Sequence, residues 1–171
     1  PGHGATDRDS HEGRSIGPAL AELVKNDLVP FEAAIASKKS GIMVGHIEIP
    51  GVTEGLPSSL SPAAIEGLLR GELKFNGLVV TDSLNMRAVS DRWSTEEAVV
   101  MALKAGADLM ILGTLADVGP AFASVDQALY EGHLAVDRLN DAAVEVLRAK
   151  GVNSCTLVGR VRGVMNTVHD W

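Results

Sequence analysis

A single cysteine, Cys155, occurs in 171 residues. One thiol forms no internal disulfide, and no spaced Cys/His set suggests a zinc site. Redox usage therefore leaves the compartment open between cytoplasm and bacterial cell envelope. Basic residues are also scarce: 15 Lys and Arg stand against 22 Asp and Glu, a formal net charge of -7. A nucleic-acid partner needs a basic footprint that this balance does not supply. The densest basic stretch, Arg148 to Lys150 followed by Arg160 and Arg162, reads as solvated surface. No apolar run is long: Leu109 to Leu112 falls far short of a bilayer, so no membrane span is expected. Aromatic residues make up only 4%. Ala, Val, Leu and Gly supply the bulk instead, which suits an α/β protein with buried strands.

Apolar residues reach 46% and charged residues 22%, the proportions of an ordinary globular domain, and the length allows one sizeable core. Residues 1–17 are glycine-rich and polar without periodicity, and read as loop. Because the chain opens at Pro1 inside that stretch, it reads as a fragment or processed chain lacking an N-terminal half. Short helices are expected over Pro18 to Lys25 and Phe31 to Ser37, then a turn from Lys38 to Gly41. Gly41 to Ile47 is a short, β-branched apolar run and predicts one buried strand. Ser61 and Pro62 open a helix as cap and first residue, with Ile65, Leu68, Leu69 and Leu73 on one face. Leu78 to Thr81 is a second strand, Thr95 to Ala105 a helix stopped by Gly106, and Ala107 to Leu112 a third strand. Helices over Val118 to Glu131 and Asp137 to Lys150 follow, with a tail of weak periodicity to Trp171.

Strands alternating with helices imply a parallel sheet of βα units. Three strands are few for an open doubly wound domain and fit the C-terminal part of a (β/α)8 barrel, incomplete as a stand-alone chain. Function in such barrels sits at the C-terminal ends of strands, here His46, Asp82 and the pair Gly113 and Thr114.

Asp82 directly follows a buried strand, where a barrel keeps catalytic carboxylates; its bland alternative is the N-cap of a helix from Ser83 to Val89. Asp9 and His11 stand two apart in the opening loop, a spacing that lets the carboxylate orient the imidazole as a general acid/base. A polar surface loop without chemistry explains the same pair, and a metal site of His3, Asp9 and His11 explains it less well, since no further ligand cluster follows. His46 faces either the pocket or its own backbone partners. Met86 is wall or core, Arg14 and Arg87 are solvated or paired with a site carboxylate, and Trp93 and Trp171 either pack or stack on a sugar.

Pro1, Gly2, His3 and Gly4, followed by Asp9, Ser10 and His11, resemble the loop motif of family 3 glycoside hydrolases, Lys-His-Phe-Pro-Gly-His-Gly and then Asp-Ser/Thr-His. The Lys and His that precede this Pro in the family, and bind sugar there, fall outside this sequence. The segment from Leu68 to Met86, with Thr81 and Asp82, is similar to the family's nucleophile segment. The stretches from Ala102 to Leu109 and from Arg138 to Lys150 resemble its next strand entry and closing helix. The resemblance spans residues 1–152 as a partial barrel domain and leaves 153–171 as a tail. It implies Asp82 as nucleophile and, because the loop carries His11, the β-N-acetylglucosaminidase branch with an Asp9 and His11 acid/base dyad. His3, His46 and Met86 are expected at the sugar. The implied partner is a carbohydrate with a terminal β-linked N-acetylglucosamine, with no metal or organic cofactor.

Two other readings belong beside it. One is an inactive or accessory barrel fragment that needs missing strands or pairs with a second copy as a homo-oligomer; the other is a phosphorylase using phosphate in place of water. An aldolase would want a Lys at a strand end, and none of the three predicted strands ends in one.

Overall fold

The computed structural model describes residues 3–37 and 41–152. Residues 38–40 of the expected turn from Lys38 to Gly41 and the tail after Val152 lie outside them. Among the described residues five short strands appear: β1 (Ser15–Ile16), β2 (Ile42–Val44), β3 (Ile47–Glu48), β4 (Val79–Ser83) and β5 (Leu109–Ile111). The α-helices are α1 (Leu20–Lys25), α2 (Val29–Ala36), α3 (Arg87–Ser90), α4 (Thr95–Ala105), α5 (Val118–Tyr130) and α6 (Val136–Ala149), and a π-helix spans Ala63–Glu72.

β2, β4 and β5 form one parallel sheet in that order, so each βα unit places its strand beside the previous one. This is the expected run of barrel units. Two details differ from the sequence reading. The Gly41 to Ile47 run is not one strand: it leaves the sheet after Val44, and Ile47 and Glu48 pair in parallel with Ser15 and Ile16 instead. The supposed loop at the chain's start therefore ends in a strand, β1, too short for any periodicity to register. Pro18 also precedes α1 rather than opening it, since α1 begins at Leu20.

Register explains the two faces of the sheet. Ile42 pairs with Val79 and Val44 with Thr81, and all four are buried under the helices. Met43 pairs with Val80, and Val80 with Leu109, on the opposite face. Met43 and Leu109 are exposed there, on the side a closed barrel turns inward. Asp82, two after Val80, stands at the C-terminal end of β4, where the pairing with β5 shifts register between Val80 and Ser83.

The helices are built as their sequences dictate. The Ser94 hydroxyl accepts from the Glu97 N–H while the Glu97 carboxylate accepts from the Ser94 N–H, a reciprocal cap for α4. Gly106, at φ 107°, ends that helix in the left-handed region. The Ser61 hydroxyl accepts from Ala64 N–H at 3.4 Å ahead of the π-helix, whose Ile65, Leu68 and Leu69 are buried. Ile65, Val79, Val89, Ala102 and Leu103 belong to the main core between sheet and helices.

A carboxylate clasps the N-terminal end of the sheet. The Asp108 side chain is fully buried and accepts from Arg138 at 2.6 Å, Arg70 at 2.9 Å and the Val79 N–H at 2.9 Å. Arg70 also donates to Gly106 O, and Arg138 to Leu103 O and Ala107 O. The π-helix, β4, β5 and α6 thus meet on one ion cluster. Removing its anion leaves two arginines facing each other in a poorly solvated site. Asp108→Ala is expected to lower the unfolding free energy by about 3–5 kcal/mol in urea titration. Glu66→Ala, which deletes only a half-exposed partner of Arg70, is expected to cost about 1 kcal/mol or less. Equal losses in the two variants would contradict the clasp.

Candidate active site

Asp82 is the fourth residue of β4 and stands at its C-terminal end. It does not cap a helix: α3 begins only at Arg87, and its preceding cap position is Met86. The Asp82 Oδ1 accepts instead from the N–H of Ser83 at 2.7 Å. That bond fixes one carboxylate oxygen and leaves the other for chemistry.

Behind this carboxylate lies His46, buried between β2 and β3. Its Nε2 lies 2.8 Å from the Ser83 carbonyl, and a carbonyl only accepts, so Nε2 carries the proton. Nδ1, 2.6 Å from the Ser59 hydroxyl, is then the acceptor. Burial pulls the His46 pKa below the ordinary imidazole value; the Ser83 carbonyl and the Asp82 charge pull it back up, and His3 and His11 push it down.

The opening loop holds the second half of the site. His11 Nδ1 lies 2.8 Å from Asp9 Oδ1, and the His11 N–H donates to the same oxygen at 2.9 Å. These backbone and side-chain bonds from His11 hold Asp9 below the ordinary carboxylate pKa. Asp9 is thus an anion that orients the imidazole through Nδ1. Both side chains are open to solvent. Ser10 between them is fully buried, with its hydroxyl 2.6 Å from His3 Nε2. Its carbonyl accepts from the N–H of Ala88 at 3.1 Å. The loop is therefore tied to α3, six residues beyond Asp82.

A second tie lies at the loop's end. Arg14 grips the buried Glu48 carboxylate through two bonds of 2.7 and 2.6 Å, and Arg92 adds a third at 3.1 Å. With the β1 and β3 pairing beside it, this pins the far end of the loop to the chain just after His46. Arg14 is thus paired with Glu48, whereas Arg87 is exposed and pairs with Asp91. Trp93 packs against the core with the Arg92 guanidinium 4.1 Å above its ring. Trp171 lies outside the described residues. Met86 is buried beneath the turn that follows β4.

Sequence reasoning passed over Ser59, Glu48, Asn85 and Asp108. Asn85 accepts from the Gly113 N–H and donates to Asp117 at 3.0 Å, joining the loops after β4 and β5. Gly113 has no room for a side chain there, since a Cβ would stand 2.7 Å from Asn85 Cγ. None of these residues advertises its role by spacing; only a Glu inside an apolar strand pair, as at Glu48, carries a readable signal.

The chain matches the family model "Glycosyl hydrolase family 3 N terminal domain" over residues 1–149. It is 40% identical over 159 residues to the β-hexosaminidase LpqI of Mycobacterium tuberculosis, covering 90% of this chain and 41% of that protein. It therefore spans well under half the length of this curated relative. The solved M. tuberculosis LpqI superposes with a TM-score of 0.84 at 39% identity, covering 90% of this chain and 46% of that one. A family 3 β-N-acetylglucosaminidase from Paenibacillus gives a TM-score of 0.84 at 36% identity, covering 88% and 29%.

The state of His46 has a measurable consequence. Its folded pKa lies below its unfolded value, so the unfolded chain binds more protons as pH falls below about 6.5. Stability from this group is unaffected above that pH and declines between it and the folded value. Denaturation followed from pH 7 to pH 5 is expected to show a loss that is smaller in His46→Gln. The same loss in both proteins would contradict a buried neutral imidazole.

Proposed function

The chain belongs to glycoside hydrolase family 3, and from that premise we propose that it supplies the catalytic half of a retaining glycosidase that removes terminal β-linked N-acetylglucosamine. The observation that carries the proposal is the Asp9 and His11 pair in a loop hydrogen-bonded to the segment following Asp82. LpqI and the Paenibacillus enzyme, by their names, support the hexosaminidase branch.

In the first step Asp82 attacks the anomeric carbon, and the carbon–oxygen bond to the leaving group breaks. His11, protonated, gives its Nε2 proton to the departing oxygen, and a covalent glycosyl-enzyme remains. In the second step neutral His11 takes a proton from water as water displaces Asp82, which restores the carboxylate with net retention. Asp9 holds Nδ1 throughout and balances the positive ring. His3, beside Ser10, and Met86, after β4, are proposed as sugar contacts. Cell-wall-type or chitin-type fragments are the proposed substrates, and water rather than phosphate the acceptor.

The test is hydrolysis of a chromogenic β-N-acetylglucosaminide by the parent chain, Asp82→Ala and His11→Ala. Parent turnover is expected, with a loss of at least about 100-fold in each variant. Asp82→Ala at the parent rate would overturn the mechanism. A parent without turnover would favour the accessory-fragment reading, which the exposed Met43 and Leu109 of the inner face already keep in view. Release of a sugar phosphate in place of free sugar would move the chain to the phosphorylases.

A further inference from the structure

We propose that His46 is a positioning residue for Asp82: through the Ser83 carbonyl it fixes the end of β4 so that the Ser83 N–H stays on one oxygen of the Asp82 carboxylate. The proposal rests on the reading of Asp82 as nucleophile. It departs from the expectation that His46 meets the sugar, because both ring nitrogens already have protein partners.

Three features carry it. The ring is 1% exposed, and burying an imidazole costs free energy unless both nitrogens are paired; an aliphatic side chain would fill the same space more cheaply. The pairing defines the ring's orientation fully. The Ser83 carbonyl requires a proton on Nε2, and the Ser59 hydroxyl, itself fully buried, then donates to Nδ1. Ser59 sits in the 3-10 turn Ser58–Leu60, so the ring bridges that turn, the β2 to β3 junction and the end of β4.

The bridge ends on the residue that matters for Asp82. Ser83 donates its N–H to Asp82 Oδ1 at 2.7 Å, and its carbonyl takes the His46 proton at 2.8 Å. The same carbonyl accepts from the Met86 N–H at 3.0 Å, which closes the turn after the strand. Strand pairing holds β4 as far as Ser83, opposite Ile111, with the Leu84 N–H donating to Ile111 O at 3.0 Å, and beyond it the chain turns away. Without the ring, one side of that turn loses its tether, and the carboxylate gains freedom just where an in-line attack needs a fixed oxygen.

The experiment compares the full chain with His46→Gln, Ser59→Ala and Ser59→Thr. Steady-state kinetics and hydrogen exchange of the Ser83 amide are followed together. His46→Gln is expected to lower kcat by about 100-fold with KM changed by less than about threefold. Ser59→Ala, which frees the ring to rotate, is expected to lower kcat by about tenfold, and Ser59→Thr, which keeps the hydroxyl, to restore it. Ser83 amide exchange is expected to speed up in His46→Gln while the Val79 and Thr81 amides keep their protection. If His46→Gln does not fold, Ser59→Ala carries the same readouts. A raised KM with parental kcat would mean that the ring touches the sugar, and would overturn the proposal. Parental kcat with a protected Ser83 amide would overturn it as well. If the parent shows no turnover, the functional reading fails by itself, and the Ser83 amide still decides whether His46 holds the strand end.

Discussion

The parallel pairing of β4 between β2 and β5 is the constraint on which the rest of the molecule depends. Parallel strands need crossover helices, and those helices bury Val79 and Thr81 on one face, while Val80 falls on the other and Asp82 stands at the strand's C-terminal end. The two ends of β4 are then finished by different chemistry. Below, the Asp108 carboxylate gathers two arginines and the Val79 N–H into a sealed ion cluster. Above, neutral groups take over: Ser59 holds the His46 ring, which donates to the Ser83 carbonyl, and Asn85 ties its turn to the Gly113 N–H. Stability at the N-terminal end and chemistry at the C-terminal end is the division a barrel imposes.

The opening loop shows the complementary arrangement. Its anchors are buried or paired: Ser10 against His3 and Ala88, Arg14 on Glu48, Ser15 and Ile16 along β3. Its proposed reactive pair is not, since Asp9 and His11 stand open to solvent. A loop tied at both flanks holds an exposed imidazole without letting it wander from α3 and β3. Under the proposed function, the desolvation needed for efficient proton transfer falls to the bound sugar rather than to the protein alone.

Much of this was legible in the sequence, for physical reasons that differ by residue. The β4 and β5 strands and the helices from Thr95 onward follow from apolar runs and the stop at Gly106, which act locally. Asp82 was legible as a carboxylate ending an apolar run, yet its alternative as a helix cap was settled only by the late start of α3 at Arg87. β1 and β3 were not legible, because two-residue strands carry no period and their pairing joins positions 32 apart in sequence. Glu48, Ser59 and Asp108 were missed for the same reason: each matters through partners that only folding brings near. The dyad lay between these cases. Its spacing suggested a pair, and its role came from the resemblance of the surrounding loop.

The measurement that bears most directly on the central claim is the site of covalent labelling. Incubation with an activated N-acetylglucosaminyl fluoride carrying a second fluorine at C5, which slows breakdown of the glycosyl-enzyme, is followed by peptide mass mapping. The account predicts one sugar attached, through an ester, at Asp82. A sugar on any other residue, or no adduct in a chain that turns over the unfluorinated substrate, would contradict it.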